Sequence, residues 1–212
     1  MEHGPVVAVV NPQSQNGALG RRWPDVSRAL ARELGSFEQV MTARRGDAIR
    51  LTREILAAGA DIVIAVGGDG TIHEVANGFF DDELRPLRDR AVLGVVPFGT
   101  GGDFRRTAGI PNGVTSAARL IATGVPRRID LGLVEYAEGR GGPPIRRLFV
   151  NIASFGLSGQ VDRIVNESSK ALGGTLSFLL GTMRAVLSFQ NQRVRLTFDD
   201  NPLDAMPRGH PN

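Results

Sequence analysis

The sequence predicts an α/β fold: a parallel sheet with helices on both faces, followed by part of an antiparallel β-sandwich. Three observations carry this expectation. Val6–Val10, Ile62–Val66 and Val92–Val96 are short, uncharged and rich in β-branched residues, as strands buried on both faces must be. Segments with helical spacing alternate with these runs, which is the order of a parallel sheet. The pattern then changes near Pro126. Ile129, Leu131 and Leu133, and later Leu148, Val150 and Ile152, alternate with other residues around a Gly/Pro-rich turn at 139–144. That alternation reads as a β-hairpin. The expected division is an α/β domain over residues 1–128, then a partial β-rich domain with a helical insertion over 129–212.

Taken in order, the first strand stops at Asn11-Pro12, and a polar loop follows to Gly20. Pro24 is expected to open a helix that Gly35 closes, with Val26, Ala29, Leu30 and Leu34 as its apolar face. Gln39–Thr42 reads as a strand. Asp47 is placed to cap a helix running to Ala58 and ended by Gly59. Ile62–Val66 leads into Gly67–Thr71, and a helix starts at once with Ile72, Val75, Ala76 and Phe79 at helical spacing. Val92–Val96 leads into a loop over 97–103, and residues 113–122 form a helix closed by Gly124. Segments 158–168 and 172–189 read as helical and Val194–Phe198 as a strand. Residues 199–212 read as a polar tail.

The composition narrows the chemistry. The 212 residues include no cysteine, which excludes disulfides, thiolate metal sites and a Cys nucleophile. Net charge is +3, and of the 25 basic residues only Lys170 is a lysine. The arginines are dispersed, so a nucleic-acid partner is not expected. Ala171–Met183 is the nearest candidate for a membrane span, uncharged but too short and broken by glycines. No secretory signal is visible.

The 27 glycines cluster in loops that follow apolar strands. In a parallel sheet the ends of those strands share one rim, where ligands bind. Glycine N–H groups can approach phosphate oxygens with no Cβ in the way. A helix beginning right after Gly70 adds its dipole and free N–H groups. Asp69 and Asp103 lie in the second and third loops. No P-loop and no G-x-G-x-x-G fingerprint is present. Charge on a bound phosphate would then be met by glycine N–H groups, Arg21 or Arg22, and a metal.

Gly67-Gly68-Asp69-Gly70-Thr71-Ile72-His73-Glu74-Val75-Ala76-Asn77-Gly78 closely resembles the signature of the diacylglycerol kinase catalytic-domain family. Asn11-Pro12-x-Ser14 resembles its first nucleotide motif. Gly99-Thr100-Gly101-x-Asp103-Phe104 resembles its third. Arg128–Gly132 and Asn151–Gly156 resemble two later segments. The resemblance covers about residues 5–200 and implies an ATP-dependent lipid kinase that uses Mg2+. The resemblance also implies a diacylglycerol-like hydroxyl as acceptor, at a membrane surface. The resemblance carries nucleotide contacts to Asn11, Pro12, Gln13, Ser14, Gln15, Thr42, Gly67, Gly68, Gly70, Thr71, Glu74, Thr100 and Gly101. Its acidic network falls on Asp69, Asp103 and Asp130, and no metal-ligand set is assigned. Glu74 and Asn77 are expected on a site-facing side of their helix. The expected location is the cytoplasm, with a peripheral position at the inner membrane left open.

The match has departures. Gln15 stands where the family usually has Gly, and Gly102 where it usually has Asn. A late Asp-Gly-Glu segment, which supplies the family's proton acceptor, is absent. A shortened or degraded member is therefore expected. The alternatives are an NAD kinase-like enzyme, which shares the Gly-Gly-Asp-Gly-Thr loop, and a non-catalytic nucleotide-binding remnant.

Overall fold

The computed structural model describes residues 4–99, 101–137, 141–154, 196–198 and 201–203. The chain divides into two compact units, residues 1–152 and 153–212. The point at which the sequence changes character, 128/129, falls within the first unit.

That unit is built on four parallel strands: β1 (Val6–Val10), β2 (Glu38–Met41), β3 (Ile62–Gly67) and β4 (Val92–Pro97). Their spatial order is β2-β1-β3-β4. The chain leaves β1 towards β2 and then returns past β1 to β3, so the order reverses between β1 and β3. This is the position at which open α/β sheets take ligands.

Side chains alternate across the sheet as a period of two requires. Ala8, Val10, Ile62, Ile64, Val66 and Val96 join one core, with Leu19, Trp23, Val26 and Leu30 of α1 (Ser14–Leu34) and Ala117 and Ala118 of α5 (Val114–Thr123). Val7, Val9, Val63, Ala65 and Val95 join the other, with residues of α2 (Asp47–Ala57) and α3 (Asp69–Gly78). Both faces are thus covered by helices, as expected. Arg119 reaches from α5 to both carboxylate oxygens of Glu33 at 3.0 and 3.1 Å, clipping α5 to α1.

The helix starts differ from expectation. Pro24 lies inside α1, which begins at Ser14. Gln15, Asn16 and Gly17 are left-handed and kink the element, so its regular right-handed helix begins after Gly17, still ahead of Pro24, and Gly20 N–H donates to Pro12 O at 3.0 Å. A proline ring inside a helix removes one backbone bond, here the one to the Gly20 carbonyl, and the rest of the helix continues past it. Asp47 is the first residue of α2 and not its cap, which is Gly46. A short helix that the sequence reading missed, α4 (Asp103–Ala108), begins in the third loop and is anchored by buried Phe104.

The hairpin consists of β5 (Gly132–Ala137) and β6 (Pro144–Phe149), paired antiparallel with Leu133 opposite Leu148. Ile129 and Leu131 precede β5 and are not part of it. β6 packs on α3. In the second unit, β7 (Leu196–Phe198) pairs antiparallel with β8 (Asn201–Leu203), so the expected polar tail contains a strand. The segments 158–168 and 172–189 and the stretch Ala171–Met183 lie outside the described residues. Among the described residues, no helix is long and apolar enough to cross a membrane.

Candidate functional site

Three loops meet where the strand order reverses. Asn11, just past β1, joins the first two. Its N–H donates to Val66 O at 3.1 Å, and its Nδ2 donates to Thr71 Oγ1 at 3.1 Å. Its Oδ1 accepts the Gln13 N–H at 3.0 Å. Gln15 Nε2 reaches across to Gly99 O at 3.3 Å and ties the first loop to the third. Gln15 adopts φ +51, a region that favours glycine, which is the physical sense of the family's Gly at this position. Ser14 is buried beside Gly67, where an added Cβ would lie 3.0 Å from Ser14 Oγ.

The glycines form a cradle without side chains. A Cβ on Gly99 would lie 2.7 Å from Gly68 Cα, so the second and third loops touch backbone to backbone. Gly68 precedes α3 in an extended conformation, and the first N–H groups of any helix have no intrahelical acceptor. The cleft here has a volume of about 130 Å³ and is lined by Gly67, Gly68, Asp69, Gly99, Gly101 and Gly102, with Arg105, Arg106 and Asn112.

Asp69 faces the third loop. Its Oδ2 accepts the Gly102 N–H at 2.8 Å, and its Oδ1 accepts the Phe104 N–H at 3.4 Å. In this arrangement the carboxylate holds the loop and the start of α4. Asp103 stands nearby: a Cβ on Gly101 would be 2.8 Å from Asp69 Oδ2 and 4.0 Å from Asp103 Oδ2. Asp103 is exposed and pairs with Arg106, whose other amino group donates to Gly101 O at 2.8 Å. Asp130 is exposed in the segment before β5 and does not line the cleft.

Other expected site residues are engaged elsewhere. Thr42 is buried past the end of β2, where its N–H donates to Val10 O at 2.9 Å. Glu74 accepts the N–H groups of Gly46 and Ala48 at 2.9 and 3.3 Å, so it caps α2. Asp47 accepts those of Ala43 and Arg44 at 2.9 and 3.0 Å, and these bonds hold its carboxyl below the usual range. Asn77 does not sit on an open, site-facing side. Only 7% exposed, it exchanges two hydrogen bonds with the Leu148 backbone at 2.9 and 3.0 Å and donates to His73 O at 2.9 Å. Both departures share a cause: the polar side of α3 faces α2 and β6, not water. Thr100 lies outside the described residues.

Arg105 and Arg106 were not singled out from the sequence, although the doublet directly follows Asp103-Phe104. The arginines named instead have other contacts. Arg21 donates to Asn16 O at 3.4 Å, and Arg22 lies 5.5 Å from the Phe98 ring centroid.

The residues fit phosphate groups: glycines where a Cβ would intrude, a helix start, and two guanidiniums on the rim. They do not form a metal site by themselves. Asp69 is committed to backbone N–H groups and Asp103 to Arg106. Among the described residues, no group of three or more His, Asp or Glu side chains converges as a ligand set.

The sequence model of the diacylglycerol kinase catalytic domain matches residues 5–134. The chain belongs to this family. The matched span contains every loop of the cleft. A diacylglycerol kinase of Bacillus subtilis (strain 168) is 35% identical over 178 residues, covering 80% of this chain and 54% of that protein. A diacylglycerol kinase of Staphylococcus saprophyticus is 29% identical over 192 residues, covering 91% and 58%. A diacylglycerol kinase crystal structure from Bacillus anthracis str. Sterne has 30% identity and a TM-score of 0.49, covering 67% of this chain and 48% of that one. The chain thus spans a little over half the length of the curated relatives it matches. Membership in this kinase family does not favour the NAD kinase-like alternative.

Proposed function

We propose that this unit is the nucleotide-binding part of an ATP-dependent lipid kinase, with a diacylglycerol-like hydroxyl as the phosphate acceptor. The reading rests chiefly on one observation. Gly68 and Gly99 face each other without side chains at the start of α3, inside the span matched by the family's catalytic-domain model.

ATP supplies the transferable phosphoryl group. The glycine N–H groups and the α3 dipole receive phosphate oxygens, and Arg105 and Arg106 offset their charge. Asp69 keeps the third loop closed against the second, which fixes the donors before ligand arrives. Such preorganisation is what makes fixed donors effective in phosphoryl transfer. In the overall reaction the phosphorus–oxygen bond to ADP breaks with its electron pair staying on ADP, a bond to the acceptor oxygen forms, and the hydroxyl proton passes to water. Mg2+ belongs to this reading as the counter-ion carried by the nucleotide, and peripheral membrane contact as the acceptor's location.

Calorimetric titration with ATP tests the nucleotide half. Saturable binding that Gly68→Val removes is expected; absence of ATP binding to the folded chain would overturn the reading. Labelled phosphate transfer to diacylglycerol in mixed micelles, with NAD as the competing acceptor, tests the other half.

A further inference from the structure

The cleft has a wall that the glycines do not explain. Arg105, on α4, and Asn112, between α4 and α5, both line it. The two are joined through Ile110. Ile110 N–H donates to the Arg105 carbonyl at 2.9 Å, and Arg105 Nη1 donates back to the Ile110 carbonyl at 3.3 Å. This reciprocal pair closes the turn after α4, and Asn112 stands two residues beyond it.

Gly102 determines where the Arg105 guanidinium rests. It sits at φ +70, and a Cβ there would lie 3.3 Å from Arg105 Nε and 4.0 Å from Nη2. A side chain at 102 would crowd the guanidinium, whereas glycine lets it close on the third loop beside the cleft. Gly102 stands where the family usually has Asn, and the room so left is taken by a cation.

Among the described residues the Arg105 charge has no counter-ion. Two carboxylates belong to this end of the cleft. Asp69 accepts the Gly102 and Phe104 N–H groups, and Asp103 pairs with Arg106. Neither is within ion-pair distance of Arg105, whose side chain donates one hydrogen bond, to a neutral carbonyl. A guanidinium carries five N–H donors, so most of its capacity is open. Arg105 is half-buried, which screens its charge less than that of an exposed arginine. Asn112 is exposed, and among the described residues its amide makes no hydrogen bond. A half-buried cation, an open amide and the side-chain-free cradle around one cleft suit an anion with many oxygens along its length.

We infer that Arg105 and Asn112 form the polyphosphate-binding wall of the cleft, with Arg105 as its charged donor and Asn112 as its neutral one. Arg106, already paired with Asp103, contributes less. The inference deepens the nucleotide reading and rests on it for the identity of the ligand as a nucleoside triphosphate.

Calorimetric titration of the whole chain with sodium tripolyphosphate and with ATP, each at two ionic strengths, tests the wall. Saturable binding of both is expected. Arg105→Gln should weaken both by about tenfold or more, the order of a hydrogen bond to a charged group. Asn112→Ala should weaken both by about two- to tenfold, the order of a neutral one. Binding should depend less on ionic strength in Arg105→Gln but not in Asn112→Ala, because only the first removes a charge. A merely structural strap to Ile110 would lower Tm and leave that dependence unchanged. Affinity or ionic-strength dependence in Arg105→Gln equal to the parent would overturn the wall; if ATP still binds, the nucleotide reading stands. Tripolyphosphate binding that needs Arg105, with no binding of ATP, would support the wall and overturn the nucleotide reading. No saturable binding of either probe would overturn both. Should Arg105→Gln fail to fold, Asn112→Ala decides, since that exposed side chain holds nothing in place: parent-like affinity there would overturn the wall.

Discussion

Asp69 Oδ2 accepts the backbone N–H of Gly102 at 2.8 Å. This bond crosses from the start of α3 to the third loop, and Gly102 sits at φ +70, the left-handed region. A carboxylate accepts at both oxygens, whereas an amide accepts at only one. Asp69→Asn therefore turns an NH2 group towards either the Gly102 or the Phe104 N–H. The fold should persist, because neither core depends on Asp69. The loop should loosen by about 1–3 kcal/mol, the cost of a lost bond to a charged group. Hydrogen exchange at Gly102 and Phe104 should accelerate while exchange in β3 stays unchanged. Equal protection in variant and parent would contradict the latch.

Gly67 and Gly68 are adjacent, but their substitutions should fail differently. A Cβ on Gly67 would lie 2.4 Å from Thr71 Oγ1 and 2.7 Å from Thr71 Cβ. Thr71 is buried and holds Asn11, so it has little room to yield. Gly67→Ala should cost about 1–3 kcal/mol, as overpacking does, and lower Tm by about 2–4 °C per kcal/mol. A Cβ on Gly68 meets nothing nearer than Gly99 Cα at 3.5 Å. Its φ of −89 suits any residue. Gly68→Ala should melt like the parent but bind ATP more weakly, because the new methyl group stands in the cleft. Paired thermal melts and ATP titrations separate the two effects.

Asn77→Ala should expose the join between α3 and the hairpin. Both amide atoms are used on Leu148, and Asn77 is buried. Alanine leaves the Leu148 N–H and carbonyl unpaired, at about 1–3 kcal/mol for each buried group. Thermal melts should record the loss, and Leu148 amide exchange should rise more than exchange in β1. A melt identical to the parent would remove the clamp from the account.

The strands were legible because burial on both faces leaves uninterrupted apolar runs, as in Ile62–Val66. The cleft was legible because glycines pile up where backbone must meet backbone, as at Gly68 and Gly99. The start of α1 was not, since Gln15 and Asn16 take left-handed conformations that their side chains do not advertise. The roles of Glu74 and Asn77 were not legible either. Helical spacing separates the apolar side from the polar side but does not say what the polar side faces. Here it faces the N–H groups of α2 and the Leu148 backbone of β6, and only the tertiary structure brings those partners. α4 was missed because six residues opening from a glycine loop carry too little periodicity to read.

His73 should give stability a dependence on pH between the carboxylate range and neutrality. Burial is the largest cause holding its imidazole below the ordinary value of 6.5; Glu74 opposes this, and Arg147 and Arg45 reinforce it. The unfolded chain therefore binds a proton at a pH where the folded chain does not. Stability rises with pH wherever the unfolded state holds more protons. The contribution of His73 is thus fully favourable above pH 6.5 and declines as pH falls from there towards the folded value. The carboxyls of Asp47 and Asp81 are held below 3.8 and that of Glu33 below 4.5, chiefly by hydrogen bonds. Their stabilisation is present above those values and is lost only as pH falls through the folded ones. The two windows are separate. Denaturant melts at intervals from pH 7.5 to 5 should show declining stability in the parent and a flatter profile in His73→Gln, with the steep acid loss below pH 4.5 retained in both. Parallel profiles down to pH 5 would mean that the imidazole is as easily protonated in the folded chain as in water.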